Sequence, residues 1–469
     1  MNCSFVIYDY ETFGKNVALD RPAQFAGLRV DHQLENIESK EVFFCKLADD
    51  YLVDPEAVLI NGITPQKALH NGIIEAEFAK RIHQFFSKPN TCIIGYNNIR
   101  FDDEYSRNIL YRNFYDPYGW SWKQENSRWD LLDVMRAIHD FSPEGIKWPR
   151  RDDGIYSFKL EDLAIANNIE HINAHDADSD VHATLELMKL VRKRKPVLFK
   201  DLYDHRHKNT LKKIINCDKM SPLVHVSGKF SNPKGNTALI APIAYHPKYD
   251  TQIISCNLSG NMSVLQDLNS TQLEERLFTK HGILGSLSPV PLKLVHLNKC
   301  PVLSSMDRFD EKDFERWGID YNQCLDNLSL LRKQTDLQDK VKSIFSKPFP
   351  KSQDVDSQLY DGFFSDKDRE IMNLILDVKP EKLSKLDVSF FDRRLPELLF
   401  RYRARNFPHT LNYKEKQKWL EHRKNVFNSL RVEEYRNKLY ELSNIHKEDA
   451  KKQKLISSLF EYLKNIVPN

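Results

Sequence analysis

A mixed α/β chain of several domains is the fold class that this sequence predicts, and three observations carry the reading. Its 469 residues are more than one hydrophobic core organises, so two or three domains are expected. Residues 1–196 alternate short apolar runs of β type with segments of helical spacing, the pattern of a mixed sheet covered by helices. Short β runs separated by Gly, Pro and Asn come next, followed by a final third with helical periodicity. The expected division is 1–196, 197–346 and 353–469.

The run Phe5-Val6-Ile7-Tyr8-Asp9-Tyr10-Glu11-Thr12 reads as the opening strand. Side chains two apart on a strand share a face, so Asp9 and Glu11 converge. Adjacent carboxylates repel, and a hard divalent cation such as Mg²⁺ relieves the repulsion. Gln24 to Asp31 and Glu41 to Leu47 read as two more strands, joined through the polar stretch Gln33 to Lys40, so the sheet begins antiparallel. Thr64-Pro65 marks a helix start, an N-cap followed by proline at the first helical position. Phe78, Ile82 and Phe85 give Ile74 to Phe86 helical spacing. Thr91 to Tyr96 is a buried strand that stops at Asn97-Asn98, and Asp102 to Tyr111 then continues as a helix with Asp102 at its start, an N-cap or a ligand. Arg128, Trp129 and Arg136 combine cations with a ring on a helix-like segment, suited either to backbone contact with a nucleic acid or to surface packing. Ser157-Phe158-Lys159-Leu160 precedes another helix. Ala177, Val181, Thr184, Met188 and Val191 share one helical face, which puts His175 at or just before the helix start and Asp180 within its first turns.

The helical pattern breaks at Pro196. Leu223 to Val226, Thr237 to Ala241, Gln252 to Asn257 and Leu292 to His296 read as strands of a small β domain. Arg206-His207-Lys208 and Lys212-Lys213 are either its solvated face or a DNA contact. A polar linker, Pro348 to Asp356, leads to the helical part, where Ser365-x-x-Asp368 resembles a helix-start box with Asp in place of Glu. Ile371, Leu374 and Ile375 then form an apolar face. Arg393, Arg394, Arg401, Arg403 and Arg405 with Phe400, Tyr402 and Phe407 make the densest basic and aromatic cluster in the chain. Two readings fit it: cations for phosphates with rings for bases, or rings in a core with arginines paired to acids. Asp449 to Lys454 reads as a solvated helical face.

Composition bounds the function. With 41% hydrophobic and 29% charged residues, the chain is of ordinary globular type. Net charge is only +3, so binding to a polyanion must rest on local patches. The start of the chain lacks the charged and apolar regions of a signal peptide, and no apolar run reaches the roughly 18 residues of a membrane span, so the expectation is a cytoplasmic protein with no membrane partner. The seven cysteines are scattered, with no Cys-x-x-Cys pair, and read as reduced thiols in place of a zinc site or disulfide framework.

Asp9-x-Glu11, Asn98-x-x-x-Asp102 and His175-x-x-x-x-Asp180, in this order and at these structural junctions, resemble the DEDDh family of 3′-to-5′ exonucleases. The chemistry agrees: four carboxylates can hold two divalent ions about 4 Å apart, which stabilise the attacking and leaving oxygens of a phosphoryl displacement. A histidine can take the proton of the attacking water. The resemblance implies a ribonuclease H-like domain with two Mg²⁺ ions, Mn²⁺ being a substitute. Asp9 would bridge both ions, Glu11 and Asp180 complete the first, Asp102 serve the second partly through water, and His175 act as base. It also implies that Glu11, Thr12 and Phe13 hold the terminal nucleotide, with the Phe13 ring stacked on a base.

Further blocks, Asp20 to Phe25, Gly95 to Asn98, Arg112 to Tyr118, Ser127 to Arg136, Leu223 to Gly228, Asn298 to Leu303, Gly362 to Asp366 and Tyr402 to Pro408, resemble the bacterial exodeoxyribonuclease I family over essentially the full length. That resemblance implies an SH3-like middle domain, a helical third domain, and Ser157 and Lys159 in contact with DNA near the scissile phosphate, although the family usually has arginine where Lys159 stands. It keeps Arg128, Trp129, Arg136, Arg401 and Arg403 as DNA-binding candidates. The implied activity is processive degradation of single-stranded DNA with a free 3′ end to 5′-mononucleotides by a monomer, in DNA repair and recombination. The family binds the acidic C-terminal tail of single-stranded DNA-binding protein through a basic pocket; here Ser142 and Asp201 stand where an arginine and a tyrosine are expected. Two rival readings are an exoribonuclease or proofreading exonuclease, and a catalytically silent DNA-binding scaffold.

Overall fold

The computed structural model describes residues 3–171, 176–347 and 351–468. They form two compact bodies, one of the described residues within 3–127, 176–182 and 351–468, the other of those within 128–171 and 183–347.

The first body is built on strands β1 (Ser4–Thr12), β2 (Pro22–Val30), β3 (Ile37–Phe44) and β4 (Thr91–Gly95), in the order β3-β2-β1-β4. β2 runs antiparallel to β1 and β3, while β4 is parallel to β1, from Ser4 opposite Thr91 to Ile7 opposite Ile94. The antiparallel start is the one expected; β3 begins earlier than its apolar residues imply, because Ile37 to Glu41 alternate on a mostly exposed edge strand. One face of β1 sends Val6, Tyr8 and Tyr10 into a core with Phe25, Phe43, Phe78, Ile82, Phe86 and Ile93. Asp9 and Glu11 take the opposite parity. A register shift between Glu11 and Thr12 ends the regular pairing there, the kind of irregularity that re-aims side chains beside a site.

Helix α1 (Pro55–Asn61) is an addition to the expected elements, and α2 (Pro65–Asn71), α3 (Glu75–Phe86) and α4 (Asp102–Arg112) follow in the expected places. Thr64 caps α2 by accepting from the Lys67 amide, with Pro65 first in the helix. Gly95 lies where β4 meets the turn into α4: a Cβ there would be 2.6 Å from Asn98 Cβ and 3.0 Å from the Tyr8 carbonyl. α4 is buried along its whole length, polar residues included. Its inner turns meet the core, and Tyr111 and Phe114 are covered by Val355, Leu359, Leu395, Leu398 and Tyr402 from the C-terminal helices.

The polar stretch leading to Asp356 is exposed or half-buried from Lys351 to Asp354 and ends in two buried residues, Val355 and Asp356. In the last helix, Ala450–Ile466, the turn up to Lys454 is exposed or half-buried, as expected of a solvated face, and Ile456, Leu459, Tyr462 and Leu463 beyond it are buried. With Tyr435 and Leu439 of the helix Ser429–Ile445, these residues share a core with Val58, Ile63 and Ala68 of the α1–α2 region.

Between these layers lies an ion-pair network. Arg405 holds Asp50 at 2.8 Å and Asp356 at 2.6 Å, Arg401 holds Asp354 and Asp356, and Arg112 holds Glu75 at 2.9 Å. Ser365 caps the helix Asp366–Asp377 as expected. The aspartate in the usual glutamate position, Asp368, accepts instead from the Ser365 hydroxyl and from the Phe391 and Asp392 amides.

The second body opens with the short strand β5 (Ser127–Asp130) and helix α5 (Leu131–Phe141), capped by Asp130. The segment expected to be helix-like is therefore split: Arg128 and Trp129 are on a strand and Arg136 on a helix. Helix α6 (Leu160–Ala166) follows, and α7 (Ala177–Arg194) begins in the first body and ends in the second. β6 (Leu223–Val226), β7 (Thr237–Tyr245), β8 (Gln252–Asn257), β9 (Leu292–His296) and β10 (Val302–Ser305) form an antiparallel sheet in the order β10-β6-β7-β8-β9. Four of these are the expected strands. β10 is an addition, since Val302-Leu303-Ser304-Ser305 is too short for its alternation to be read. One side of the sheet is sealed by a helical insertion through Phe314, Trp317, Leu328, Leu331 and Val341.

Candidate active site

Carboxylates converge where β1 runs on past the end of β4. Asp9 and Glu11 come from β1, Asp180 from the first turn of α7, and one oxygen of each lies within 4.8 Å of the others. Asp102 is the first residue of α4, with Phe101 in the cap position, and is 4% exposed. Burial, then the charges of Asp102, Glu11 and Asp180, pushes the Asp9 carboxyl far above its usual range. Glu11 is pushed up to about 9 by burial and by Asp180 and Asp102, against a hydrogen bond from Asn61 that favours its charged form. So many acids in so little space are a poor arrangement without positive charge, and an all-oxygen donor set of this kind fits a hard divalent cation.

Neighbouring polar groups fix the backbone that carries these acids. Asp103, fully buried beside Asp102, accepts from the Tyr8 hydroxyl at 2.5 Å and from Asn98 Nδ2 at 3.1 Å. The Tyr10 hydroxyl is 3.0 Å from Ser106 Oγ. β1 and α4 are thereby tied by side chains on the face opposite Asp9. Asn61 also donates to the Thr12 carbonyl at 3.0 Å. None of these supports was read from the sequence. The acidic run Asp102-Asp103-Glu104 was a signal for Asp103, whereas Tyr8 looks like any core residue and Asn61 like any helix-end residue.

His175 lies outside the described residues. Thr12 is buried and donates to the Gly14 carbonyl at 2.8 Å. The Phe13 ring, expected to line the nucleotide pocket and stack on a base, is 0% exposed and belongs to the core shared with the C-terminal helices. In the second body, Ser157 is buried and donates to Asp162, while Lys159, at the cap of α6, is exposed.

The DNA-binding candidates divide by what they touch. Arg128 is buried and donates to the Asn298 carbonyl at 2.8 Å, while its own carbonyl accepts from Cys300. Two of the recognised blocks meet in that contact. Trp129 is wedged edge-on against Phe199 and Tyr203, with centroids 5.2 and 5.3 Å away. Arg136 pairs with Asp133 at 2.8 Å and lies against Gly228, where a Cβ would be 2.8 Å from its guanidinium carbon. Arg401 is engaged by Asp354, Asp356 and Glu397, and Arg403, 5% exposed, by Glu415 and the Thr410 carbonyl. For these two the structure supplies the second of the two readings, arginines paired to acids, because a bundle carrying so many buried aspartates needs internal cations. Ser142 accepts from Lys195 at 2.7 Å, and Asp201 pairs with Arg308 at 2.9 Å.

Comparison with known proteins agrees with this architecture. Residues 6–188 match a family model described as an exonuclease, 206–347 an exonuclease I SH3-like domain, and 353–466 an exonuclease I C-terminal domain. The class is thus an exonuclease, an enzyme built of an exonuclease domain, an SH3-like domain and a C-terminal helical domain. Exodeoxyribonuclease I of Escherichia coli (strain K12) is 52% identical over 466 residues, 99% of this chain and 98% of its own. The Haemophilus influenzae exodeoxyribonuclease I is 45% identical, with 98% of each covered. The chain belongs to the exodeoxyribonuclease I family.

Solved structures agree with it. E. coli exonuclease I in complex with a dA16 oligonucleotide superposes with a TM-score of 0.97 at 52% identity, over 99% of this chain and all of that one. The zinc-ion-bound form of the E. coli ExoI–ssDNA complex gives 0.97 at 51% identity, and an ExoI/SSB-Ct complex 0.95 at 50%, each covering 100% of both chains. No helix among the described residues is long and apolar enough to cross a membrane.

Proposed function

We propose that this enzyme degrades single-stranded DNA from a free 3′ end, processively, to 5′-mononucleotides, as a cytoplasmic monomer in DNA repair and recombination. The observation that carries the proposal is the convergence of Asp9, Glu11 and Asp180 within 4.8 Å in a chain of this family. Asp9, Glu11 and Asp180, with Asp102 nearby, are the residues that would hold two Mg²⁺ ions, or Mn²⁺ in their place. Such ions supply charge neutralisation for an in-line displacement at phosphorus and acidify the attacking water. A relative in a zinc-ion-bound form supports the presence of a divalent ion.

The chain's own residues do the rest. His175 is the proposed base, Glu11 and Thr12 hold the terminal nucleotide, and Ser157 and Lys159 contact the strand beside the scissile phosphate, Lys159 as a point charge without the guanidinium fork. Phe13 acts in this reading through the backbone it anchors. Of the remaining DNA-binding candidates, Arg136 is the one we retain. We keep the division 1–196, 197–346 and 353–469 as functional domains. The relatives solved with oligonucleotides support the substrate, and the ExoI/SSB-Ct complex supports a C-terminal tail of single-stranded DNA-binding protein as partner. With Ser142 and Asp201 in place of the expected pair, that partner is bound more weakly here.

The test compares 3′- and 5′-end-labelled single-stranded DNA, RNA and duplex DNA, with wild type and Asp9→Ala, in Mg²⁺ and in chelator. Early release of the 3′ label from single-stranded DNA alone, absent in chelator and in the variant, is the expected outcome. Equal rates on RNA, or full activity in Asp9→Ala, refute it.

A further inference from the structure

Helix α5 ends in a buried pair that the proposed reaction does not use. His139 is 6% exposed and Asp140 2%, and His139 Nδ1 donates to the Asp140 carboxylate at 2.6 Å. Among the described residues no guanidinium or ammonium group pairs with this carboxylate. Its other oxygen accepts from the Asn236 amide at 2.7 Å and the Thr237 hydroxyl at 2.6 Å, at the entry to β7. The Asp140 carbonyl accepts from the Trp317 indole at 2.7 Å. Gly235 permits the approach, because a Cβ there would be 2.6 Å from the carboxylate. Asp140 is therefore fixed from three sides, and it fixes the histidine ring in turn.

The ring has a second set of neighbours. Trp148, Tyr156 and Phe158 surround it, with centroids 5.0, 4.1 and 5.4 Å away. All three belong to the segment that carries Ser157 and Lys159. Arg150 and Tyr156 close a small hairpin, and Arg150 lies 3.7 Å over the Tyr156 ring. Beyond it the backbone at Lys159 is extended, and in an extended run alternate side chains face opposite ways. Tyr156 and Phe158 grip His139; Ser157, between them, must point away, and it reaches Asp162. Lys159, one step on, is exposed. The direction of both proposed DNA contacts is set by which side of the segment His139 takes.

We propose that His139, held by Asp140, is a positioning residue for the substrate: its ring is the post around which the segment 148–158 is clasped so that Ser157 and Lys159 are presented to the strand. The role rests on the proposed single-strand reading. It differs from a purely structural one because it acts on substrate binding: a slack segment still folds but places its contacts badly.

The experiment uses the full-length enzyme with Mg²⁺ and an oligo-dT substrate. It compares His139→Ala, His139→Phe and Lys159→Ala by KM, kcat and thermal melting. His139→Ala should raise KM about tenfold, the loss of one charge-assisted contact, with kcat at saturation within about twofold. His139→Phe, which keeps a ring in the clasp, should stay within about threefold of wild type in KM, well short of that loss.

A folded His139→Ala with wild-type KM overturns the proposal, as does a His139→Phe that loses as much as the alanine variant. Should His139→Ala not fold, Phe158→Leu opens the same clasp from the other side, and a wild-type KM in it overturns the proposal equally. If Lys159→Ala raises KM and His139→Ala does not, only the positioning role fails. If neither moves KM, the segment is no substrate element and the reading beneath it fails too.

Discussion

Asp9 is held in a place that costs the fold stability. Burial and three neighbouring acids all act against its charged form, so removing the charge relieves repulsion that only a cation otherwise offsets. Asp9→Asn should melt higher than wild type in chelator, by several degrees, while losing turnover. Added Mg²⁺ should then raise the melting temperature of wild type more than that of the variant. A variant that melts lower in chelator would show that Asp9 is satisfied by protein groups alone. At the same scale, Tyr8→Phe removes a buried hydrogen bond to Asp103 and should cost about 1.5–3 kcal/mol, read by denaturant titration. Asp9, Glu11, Asp102 and Asp180 were legible because acids that break an apolar pattern stand out. Phe13 was misread for the converse reason: a ring next to a site looks the same in sequence whether it faces a ligand or a core.

The C-terminal part is held to the rest of the first body by charge as well as by apolar contact, through Arg405 on Asp50 and Arg21 on Asp356, and α3 is tied to α4 by Glu75 and Arg112. Burial works against the charged forms of Glu75 and Asp356, yet Arg112 and Arg21 hold Glu75 down at about 2, and Arg405 and Arg21 hold Asp356 well below the carboxylate range. Both folded-state values lie below the unfolded ones, so the stabilisation is fully present above about pH 4.5. It is lost as the pH falls from there toward 2, because the unfolded chain binds more protons in that window. The melting temperature should therefore drop steeply on the acid side, and Asp356→Asn should flatten that slope while lowering stability at neutral pH. Arg405→Ala leaves two buried carboxylates short of their partner and should cost roughly 3–5 kcal/mol. If its acid limb matches that of wild type, the network is not what sets it. Partner choice here was beyond reading from sequence: Arg405 is 355 positions from Asp50, and periodicity carries no information about such distances.

Taken whole, a chain of net charge +3 attracts DNA through local cations, and the salt dependence of binding counts them. Lys159→Ala should lower the slope of log affinity against log salt by about 1 in the absence of divalent ions, whereas Arg403→Ala should leave the slope unchanged and lower the melting temperature instead. A reduced slope in Arg403→Ala would put that arginine back on the DNA path. The sequence by itself determined the α/β class, most of the strands and helices of the sheet domains, and the carboxylates at strand and helix ends, because each depends on spacing over a few residues and on side-chain chemistry that local pattern expresses. It also determined the family, through blocks spread over the full length. Only the tertiary structure decided which arginines are consumed by buried acids, that Phe13 is core, that α4 is enclosed on every side, and that His139 stands inside a ring of aromatics beside Ser157. Those facts depend on which surfaces far apart in the chain come to cover one another, and burial turns the same side chain from a ligand contact into a structural one.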